Sequence, residues 1–389
     1  MPTERNLLMI PGPITFDPAV LRAMSIPTPS HLAPSFMNTF GTCLEQMREI
    51  ILSRNGQPFI IAGSGTLAME FAVCNLIERG DRVLVCNSGY FGSRYADILS
   101  RFGVQVDELK AEIGETISPQ RVKEKLEEQD YKLVTLTQVD TSTAVLNPVK
   151  EIGEVVVNFD TLLVVDGVCG AAAEETRFDA WNLDVYFTAS QKAIGVPPGL
   201  ALLMFSDRSM KTYKARKSPV ASYYCDIANW LPIMQAYEER RPSYFGTPAV
   251  NLILALKEST DQILEEGMEA CFKRHVKLSN AVKAGIRALD LKTIPKGDEK
   301  AAHTLTAPFY PKGVDGDLFR AKMTENGVIV AGGLQPEIKT KYFRIGHMGR
   351  ITALDVLAII GAVERALIGC GHQIETGNGV EKAQQMLSR

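Results

Sequence analysis

Short apolar runs alternate with amphipathic stretches along the first half of the chain. The apolar runs are almost continuously hydrophobic, which is typical of strands that are buried on both faces of a sheet. The predicted strands lie at residues 59–62, 82–86, 133–138, 162–166, 185–188 and 200–205. The predicted helices between them include residues 66–77, 94–102 and 119–129. This alternation predicts an α/β domain with a mostly parallel sheet.

The pattern changes after Pro248. Apolar residues recur at helical spacing from 251 to 289, which predicts a long helix that links two domains. Strand-like runs at 303–309, 327–330 and 342–345, with a final helix at 352–367, predict a smaller α+β domain. Two domains are expected for 389 residues, because single hydrophobic cores rarely grow to that size. We place an N-terminal arm at residues 1–19, a large domain at 20–262 and a small C-terminal domain at 263–389.

The charge balance limits the classes of partner. There are 42 lysines and arginines against 45 aspartates and glutamates, so no bulk cationic field is available for nucleic acid or an anionic membrane. The longest apolar stretch without a charge, residues 193–205, is interrupted by glycines and prolines and is too short to span a bilayer. We therefore expect small-molecule substrates, no nucleic acid partner and no membrane span.

The cysteines and histidines bear on the compartment and on metal binding. The seven cysteines are odd in number and show no C-x-x-C spacing, as expected for reduced thiols inside a cell. The N-terminal segment has Glu4 beside Arg5 and no long apolar run, and the final Leu-Ser-Arg differs from the peroxisomal Ser-Lys-Leu. We expect a cytoplasmic protein, with the peroxisome and the mitochondrion left open. The five histidines lack metal-ligand spacing, so no metal is expected, and His31 and His347 either line a substrate cleft or make structural hydrogen bonds.

A glycine-rich turn, Gly63-Ser-Gly-Thr66, lies between a predicted strand and a predicted helix. Unpaired N–H groups at a helix N-terminus bind an anion, and glycines let a phosphate approach closely. The turn is neither a Walker A sequence nor a complete dinucleotide-binding fingerprint, and such turns also serve a purely structural role. Both interpretations are open for this turn taken alone.

Two ionisable residues lie at the ends of neighbouring predicted strands. Asp166 ends the strand at 162–166, where α/β sheets bind ligands, although an aspartate there also serves as a helix cap or turn residue. Lys192 follows the strand at 185–188 and precedes a turn rich in glycine and proline. Burial of Lys192 would lower its pKa toward the neutral amine that a Schiff base requires, whereas most lysines extend to solvent.

The glycine turn, Asp166 and Lys192 occur in an order that resembles the pyridoxal-phosphate enzymes of fold type I, and among them the class V aminotransferases. Ala189-Ser-Gln-Lys192-Ala-Ile-Gly is similar to the cofactor-lysine motif, and Val165-Asp166-Gly-Val-Cys to the motif of the aspartate at the cofactor nitrogen. Further blocks similar to the alanine–glyoxylate aminotransferase branch are Asp140-Thr-Ser142-Thr-Ala, Tyr244-Phe-Gly-Thr247-Pro and Phe343-Arg344-Ile-Gly. The first and the last of these blocks resemble the fungal members most closely. The similarity covers nearly the whole chain.

The resemblance implies a fold type I transferase with pyridoxal 5′-phosphate as its cofactor. Lys192 would then form the Schiff base with the cofactor and move the proton between Cα and C4′, while Asp166 would keep the pyridine nitrogen protonated. The other implied cofactor contacts are Ser64, Gly65 and Thr66 for the phosphate, Ser142 and Gln191 for hydrogen bonds, and Phe91 for stacking on the ring. Phe91 stands where the family often has tryptophan, and core packing is its alternative interpretation.

Three further positions are implied to bind ligands. Tyr244 and Thr247 match positions that reach the phosphate in the neighbouring subunit, which implies a homodimer with shared active sites, although the same segment also reads as a structural turn before Pro248. Arg344 matches the residue that binds the substrate carboxylate, which a forked guanidinium holds through two hydrogen bonds.

The implied reaction is a ping-pong transfer of the amino group from L-alanine to glyoxylate, which gives pyruvate and glycine. Serine is the nearest alternative donor, in a serine–glyoxylate or serine–pyruvate enzyme. A lyase of the cysteine desulfurase type needs a reactive cysteine in the last third of the chain, where Cys271 and Cys370 lie in or next to predicted helices. A scaffold that has lost the cofactor would not need the glycine turn, Asp166 and Lys192 together.

Overall fold

The structure is a computed structural model that describes residues 6–388 of the chain. The first five residues of the predicted arm, with Glu4 and Arg5, lie outside the described residues, as does Arg389 at the end of the predicted small domain. Within residues 6–388, no helix is long and apolar enough to cross a membrane.

The chain alternates strands and helices up to β10 and is mainly helical afterwards. The strands are β1 (Leu7–Leu8), β2 (Gln57–Ala62), β3 (Arg82–Asn87), β4 (Gln105–Lys110), β5 (Leu133–Thr137), β6 (Val139–Asp140), β7 (Val145–Leu146), β8 (Leu162–Asp166), β9 (Val185–Ala189), β10 (Leu200–Phe205), β11 (Leu305–Thr306), β12 (Val328–Ile329), β13 (Ala331–Gly332) and β14 (Phe343–Gly346). The helices are α1 (Pro18–Met24), α2 (Pro34–Ile51), α3 (Gly65–Cys74), α4 (Tyr90–Ser100), α5 (Pro119–Glu128), α6 (Val149–Val156), α7 (Asp207–Lys214), α8 (Ile227–Glu238), α9 (Val250–Glu266), α10 (Met268–Ala288), α11 (Gly316–Glu325), α12 (Ala353–Gly369) and α13 (Asn378–Leu387).

The central sheet has the strand order β2-β10-β9-β8-β5-β3-β4. All of its strands run in the same direction except β10, which is antiparallel to both neighbours. Every residue of β5, β8, β9 and β10 is buried, so both faces of the sheet are covered. The predicted α/β fold with a mostly parallel sheet is confirmed. The apolar pattern does not indicate β4, because this strand lies at the edge of the sheet and is largely polar.

The direction of the strands gathers the predicted site residues at one edge. The strands β2, β3, β5, β8 and β9 are parallel, so their carboxyl ends meet along the same edge of the sheet. The glycine turn follows β2, Phe91 follows β3, Ser142 follows β5, Asp166 ends β8 and Lys192 follows β9. Ligands of open α/β sheets bind at this edge, because the connecting loops diverge there and leave a crevice.

Two hydrophobic cores hold the described chain together. The larger surrounds the central sheet, and the smaller is built mainly from α10, α11, α12 and α13 together with β12 and β14. Met9 of the N-terminal arm belongs to the smaller core, and β1 pairs in parallel with β12. The strand β14 pairs with β11 and β13 in a separate small sheet. The domain limits at 19/20 and 262/263 remain predictions.

The single helix predicted at 251–289 is wrong in one respect, because the structure has two helices there. Gly267 separates α9 from α10 and adopts a φ of 82°, a conformation that only glycine adopts without strain. Helical periodicity continues on both sides of the break, which explains why the hydrophobic pattern alone does not reveal it.

The break at Gly267 leads to a stability prediction. Gly267→Ala should destabilise the protein by about 1 kcal/mol through backbone strain alone, since no atom lies within 4 Å of the added Cβ. Gly361→Ala is the matched control: Gly361 lies inside α12, and its added Cβ would meet Val380 Cγ2 at an ordinary 3.8 Å. The control should be neutral or stabilising by up to about 1 kcal/mol, because alanine favours a helix interior. Urea unfolding of both variants measures the change in the free energy of unfolding. The same change in both variants would contradict the strain at Gly267.

Candidate active site

Lys192 lies in the loop between β9 and β10, and only 7% of its surface is exposed. Its Nζ donates a hydrogen bond to the carbonyl oxygen of Pro11 in the N-terminal arm. A Cβ added to Gly12, whose φ is 98°, would lie 2.6 Å from Cδ of Lys192, so the arm needs glycine at this point of contact. Burial lowers the pKa of Lys192, and the charge of Arg344 acts in the same direction.

Asp166 ends β8 and is buried. Its Oδ1 accepts a hydrogen bond of 2.8 Å from the N–H of Val168, and no donor among the described residues reaches its Oδ2. Burial and, to a smaller extent, the nearby carboxyl group of Asp140 raise the pKa of Asp166 to about 7, although the N–H of Val168 and the charge of Lys192 act in the opposite direction. A carboxyl group with one free oxygen at a strand end is suited to a hydrogen bond with a ligand's ring nitrogen.

Asp140 is a central residue that we did not name as a site residue from the sequence. It is fully buried, and its Oδ2 accepts the N–H of Phe91 at 3.0 Å while its Oδ1 accepts the N–H of Ser142 at 2.8 Å. Asp140 therefore orients two predicted cofactor contacts at once. Burial raises the pKa of Asp140, against the hydrogen bonds that favour its charged form. A signal exists in the sequence, since Asp140 ends the short strand β6 directly after the buried β5, much as Asp166 ends β8.

The glycine turn leads into the N-terminus of α3. Ser64 is the N-cap residue, but its side chain makes no capping hydrogen bond, so the first N–H groups of the helix are available to an anion. Ser64 and Thr66 are exposed. A Cβ added to Gly65 would lie 3.1 Å from Cγ2 of Val168, so a larger residue would press on the segment after Asp166. The geometry fits the phosphate-binding interpretation of the turn.

The remaining predicted contacts of the cofactor ring also lie at this edge. Phe91 is partly buried at the start of α4. Ser142 is fully buried, and its Oγ accepts a hydrogen bond of 3.1 Å from the N–H of Tyr90. The side-chain Oε1 of Gln191 is buried and has no hydrogen-bond partner among the described residues. A buried acceptor without a partner next to Lys192 suits a hydrogen-bond donor on a ligand.

Arg344 reaches the same edge from the small sheet. It lies on β14, opposite Ala331, and its Nε and Nη1 donate to the carbonyl oxygens of Gly332 at 2.8 Å and of Thr141 at 3.1 Å. Among residues 6–388 no carboxylate pairs with it, so part of its guanidinium fork is free for an anion. Burial lowers the pKa of Arg344. Its contact with Thr141 joins the small sheet to the loop that carries Ser142.

Tyr244 and Thr247 are not joined to the glycine turn by any hydrogen bond within the described chain. Both are exposed, and the Tyr244 ring, 64% exposed, lies 5.6 Å from the ring of His31. His347 is buried, and its Nε2 lies 2.8 Å from Oγ1 of Thr306. The structure thus brings the other predicted site residues to one edge of the sheet and leaves Tyr244 and Thr247 apart from them. The roles of all these residues remain predictions.

Comparisons with known proteins identify the family. The family described as Aminotransferase class-V matches residues 22–354. The chain is 37% identical to an uncharacterised aminotransferase of Methanocaldococcus jannaschii over 98% of both chains, and 38% identical to alanine–glyoxylate aminotransferase 1 of Saccharomyces cerevisiae over 88% of this chain and 92% of the yeast protein. The solved ureidoglycine–glyoxylate aminotransferase of Bacillus subtilis superposes with a TM-score of 0.94 at 30% identity, with 100% of both chains covered.

The chain therefore belongs to the class V aminotransferases. Its α/β fold is that of the fold type I transferases, as the sequence resemblance implied.

The raised pKa of Asp166 predicts a pH-dependent stability of the cofactor-free protein. The folded protein keeps the proton of Asp166 up to about pH 7, whereas the unfolded chain releases it near the ordinary value of 3.8. Between these values the folded state binds more protons, so the free energy of unfolding falls as the pH rises, in total by about 4 kcal/mol. Asp166→Asn should abolish this part of the slope in urea unfolding from about pH 4 to about pH 8.

The exposed Asp130 supplies the control, since Asp130→Asn should keep the wild-type pH profile. Parallel profiles for the wild type and Asp166→Asn would contradict the raised pKa.

Proposed function

We propose that the protein is a pyridoxal 5′-phosphate-dependent aminotransferase that transfers the amino group of L-alanine to glyoxylate and produces pyruvate and glycine. The observation that carries this proposal is the meeting of a buried lysine, a buried strand-end aspartate and an uncapped helix N-terminus at one sheet edge in a class V aminotransferase. The name of the yeast relative supports alanine and glyoxylate as substrates.

The described residues fit pyridoxal 5′-phosphate. The uncapped N–H groups after Ser64 suit the phosphate, the free Oδ2 of Asp166 suits a protonated ring nitrogen, and the unpartnered Oε1 of Gln191 suits a donor on the ring. Phe91 and Ser142 complete the proposed cofactor contacts. When bound, the cofactor supplies an electron sink that stabilises negative charge at the substrate Cα.

Lys192 is proposed to move the reacting proton. A base at Cα must be unprotonated at working pH, and burial of Nζ favours its neutral form. In the first half-reaction Nζ accepts the proton from Cα of the amino acid and would deliver it to C4′ of the bound cofactor; in the second it would take a proton back from C4′ and donate it to Cα of the new amino acid. The carbonyl oxygen of Pro11 accepts the hydrogen bond of Nζ and so orients the amine.

Arg344 is proposed to bind the substrate carboxylate. Its guanidinium is fixed by two carbonyl oxygens and has no carboxylate partner in the described chain, which leaves it the charge and donors that a carboxylate needs. A single such residue accounts for small amino acids and 2-oxo acids. The donor is the open part of the proposal, because related enzymes are named for serine in Arabidopsis thaliana and for L-aspartate in Paracoccus denitrificans.

The desulfurase alternative finds no support in the cysteines of the last third of the chain. Cys271 is buried in α10, where burial raises its pKa to about 12, and Cys370 is the C-cap residue of α12, with a pKa that is also raised by burial. Neither thiol is disposed to form the thiolate that a desulfurase nucleophile requires. We also propose a cytoplasmic location, supported by the seven cysteines, which are all free in the structure.

A matrix of donors and acceptors tests the proposed reaction. Alanine, serine and aspartate are paired with glyoxylate, pyruvate and 2-oxoglutarate, and the product amino acids are quantified. Alanine with glyoxylate should give the highest kcat/KM, and Lys192→Ala should lower it by at least about 1,000-fold, because the proton at Cα then has no base. Faster turnover with serine or aspartate would show that this amino acid, and not alanine, is the preferred donor. Near-wild-type turnover by Lys192→Ala would refute the mechanism.

We further propose a homodimer in which Tyr244 and Thr247 contact the phosphate site of the partner subunit. Support comes from exposed apolar residues near Tyr244: Leu32, 44% exposed, follows His31, whose ring lies against that of Tyr244, and Tyr223, 81% exposed, lies 5.6 Å from the ring of Phe245. Large exposed apolar patches on a folded chain are typical of interfaces. The surface adjoins the glycine turn, because the neighbouring Tyr224 hydroxyl donates a hydrogen bond of 3.1 Å to the carbonyl oxygen of Ala62.

Subunit mixing tests the shared site. Two inactive or weakly active dimeric variants are prepared, Lys192→Ala and Tyr244→Ala. Their subunits are dissociated, mixed with each other and reassembled into dimers. If Tyr244 acts in the partner's site, each hybrid dimer has one intact site, and activity should return to about a quarter of the wild-type value. If Tyr244 acts within its own subunit, mixing restores nothing. Size-exclusion chromatography with light scattering checks that dimers have formed.

A further inference from the structure

Arg94 lies one helical turn after Phe91 on α4 and faces the glycine turn. Its Cζ is 4.9 Å from the centre of the Phe91 ring and 5.1 Å from that of Tyr90, and its Nη1 donates a hydrogen bond of 3.1 Å to Oγ1 of Thr66. The two rings and the hydroxyl thus fix the guanidinium in one place. Thr66 is the second residue of α3.

The guanidinium of Arg94 has no carboxylate partner among the described residues. Other partly buried arginines do: Arg274 pairs with Glu266 at 2.6 Å and Arg208 with Asp184 at 2.6 Å. Arg94 is half-buried, and its hydrogen-bond partners, Thr66 and Tyr90, are neutral hydroxyl groups. A fixed cation without a counter-charge at a ligand-binding edge is prepared for an anion.

Two anion-binding features converge at Thr66. The uncapped N–H groups at the start of α3 include that of Thr66, and the fork of Arg94 approaches from α4. The charge of Arg94 also acts weakly against the burial that raises the pKa of Asp166. Arg344 donates instead to the carbonyl oxygens of Gly332 and Thr141, so the two arginines are held by different parts of the site.

We propose that Arg94 is a further cofactor-binding residue, which donates a charged hydrogen bond to the phosphate group held at residues 64–66. This inference rests on the proposed function, since it takes pyridoxal 5′-phosphate as the ligand. It assigns a role to a side chain that would otherwise only clamp α3 to α4 through Thr66.

The test compares two ligands that differ only in the phosphate. The cofactor is removed from the full-length wild type and from Arg94→Gln, and the Kd values of pyridoxal 5′-phosphate and of pyridoxal are measured by the visible absorption of the bound ligand. Arg94→Gln should raise the Kd of pyridoxal 5′-phosphate by about 10- to 100-fold, the usual cost of losing a charged hydrogen bond. The Kd of pyridoxal should stay within about twofold of the wild-type value. Glutamine keeps a donor for Thr66, so folding is preserved, and Arg94→Lys should give an intermediate loss because it keeps only the charge.

Arg101→Ala is the matched control, because Arg101 is exposed at the C-terminal end of the same helix. An unchanged Kd for pyridoxal 5′-phosphate in Arg94→Gln would overturn the inference, and equal losses for both ligands would show a structural clamp instead. A change restricted to a higher KM for aspartate would assign Arg94 to a substrate carboxylate and would also overturn the inference. Failure of the wild type to bind pyridoxal 5′-phosphate would refute the proposed function itself.

Discussion

The burial of charged groups at the carboxyl edge of the sheet is the constraint on which the site depends. Lys192, Asp166 and Asp140 are buried together, and burial pushes the amine and both carboxyl groups toward their neutral forms. The Nζ of Lys192 bonds to a carbonyl oxygen instead of a carboxylate, so the arrangement does not relax into an ordinary ion pair. Its cost is offset by the apolar strands beneath it, in which every residue of β8 and β9 is buried.

Much of the fold was accessible from the sequence where burial dictates the pattern. The continuous apolar runs at 162–166 and 200–205 coincide with β8 and β10, because strands covered on both faces have no polar side. The same reasoning misses β4, whose outer position lets polar residues form a strand. It also misses the break at Gly267, because one residue with positive φ ends a helix without disturbing the periodicity around it.

The candidate site was accessible where a single segment carries the signal. Asp166 and Lys192 stand at strand ends within recognisable motifs, and the fold then brings them to one edge. Arg94 and the arm residue Gly12 acquire their positions only through tertiary contacts, with Thr66 and Lys192 respectively. No local pattern predicts such contacts between distant segments. The proposed roles of Tyr244 and Thr247 depend on a second subunit, which the pattern of one chain does not contain.

The antiparallel strand β10 has a consequence for the order in which the site can form during synthesis. β2, which leads into the glycine turn, pairs within the central sheet with β10 alone, although β10 is made long after it. A nascent chain that has passed the ribosome only as far as β9 therefore has β2 without its hydrogen-bonding neighbour. The glycine turn and Lys192 meet only after residue 205 has emerged, so the proposed cofactor site is completed late in synthesis.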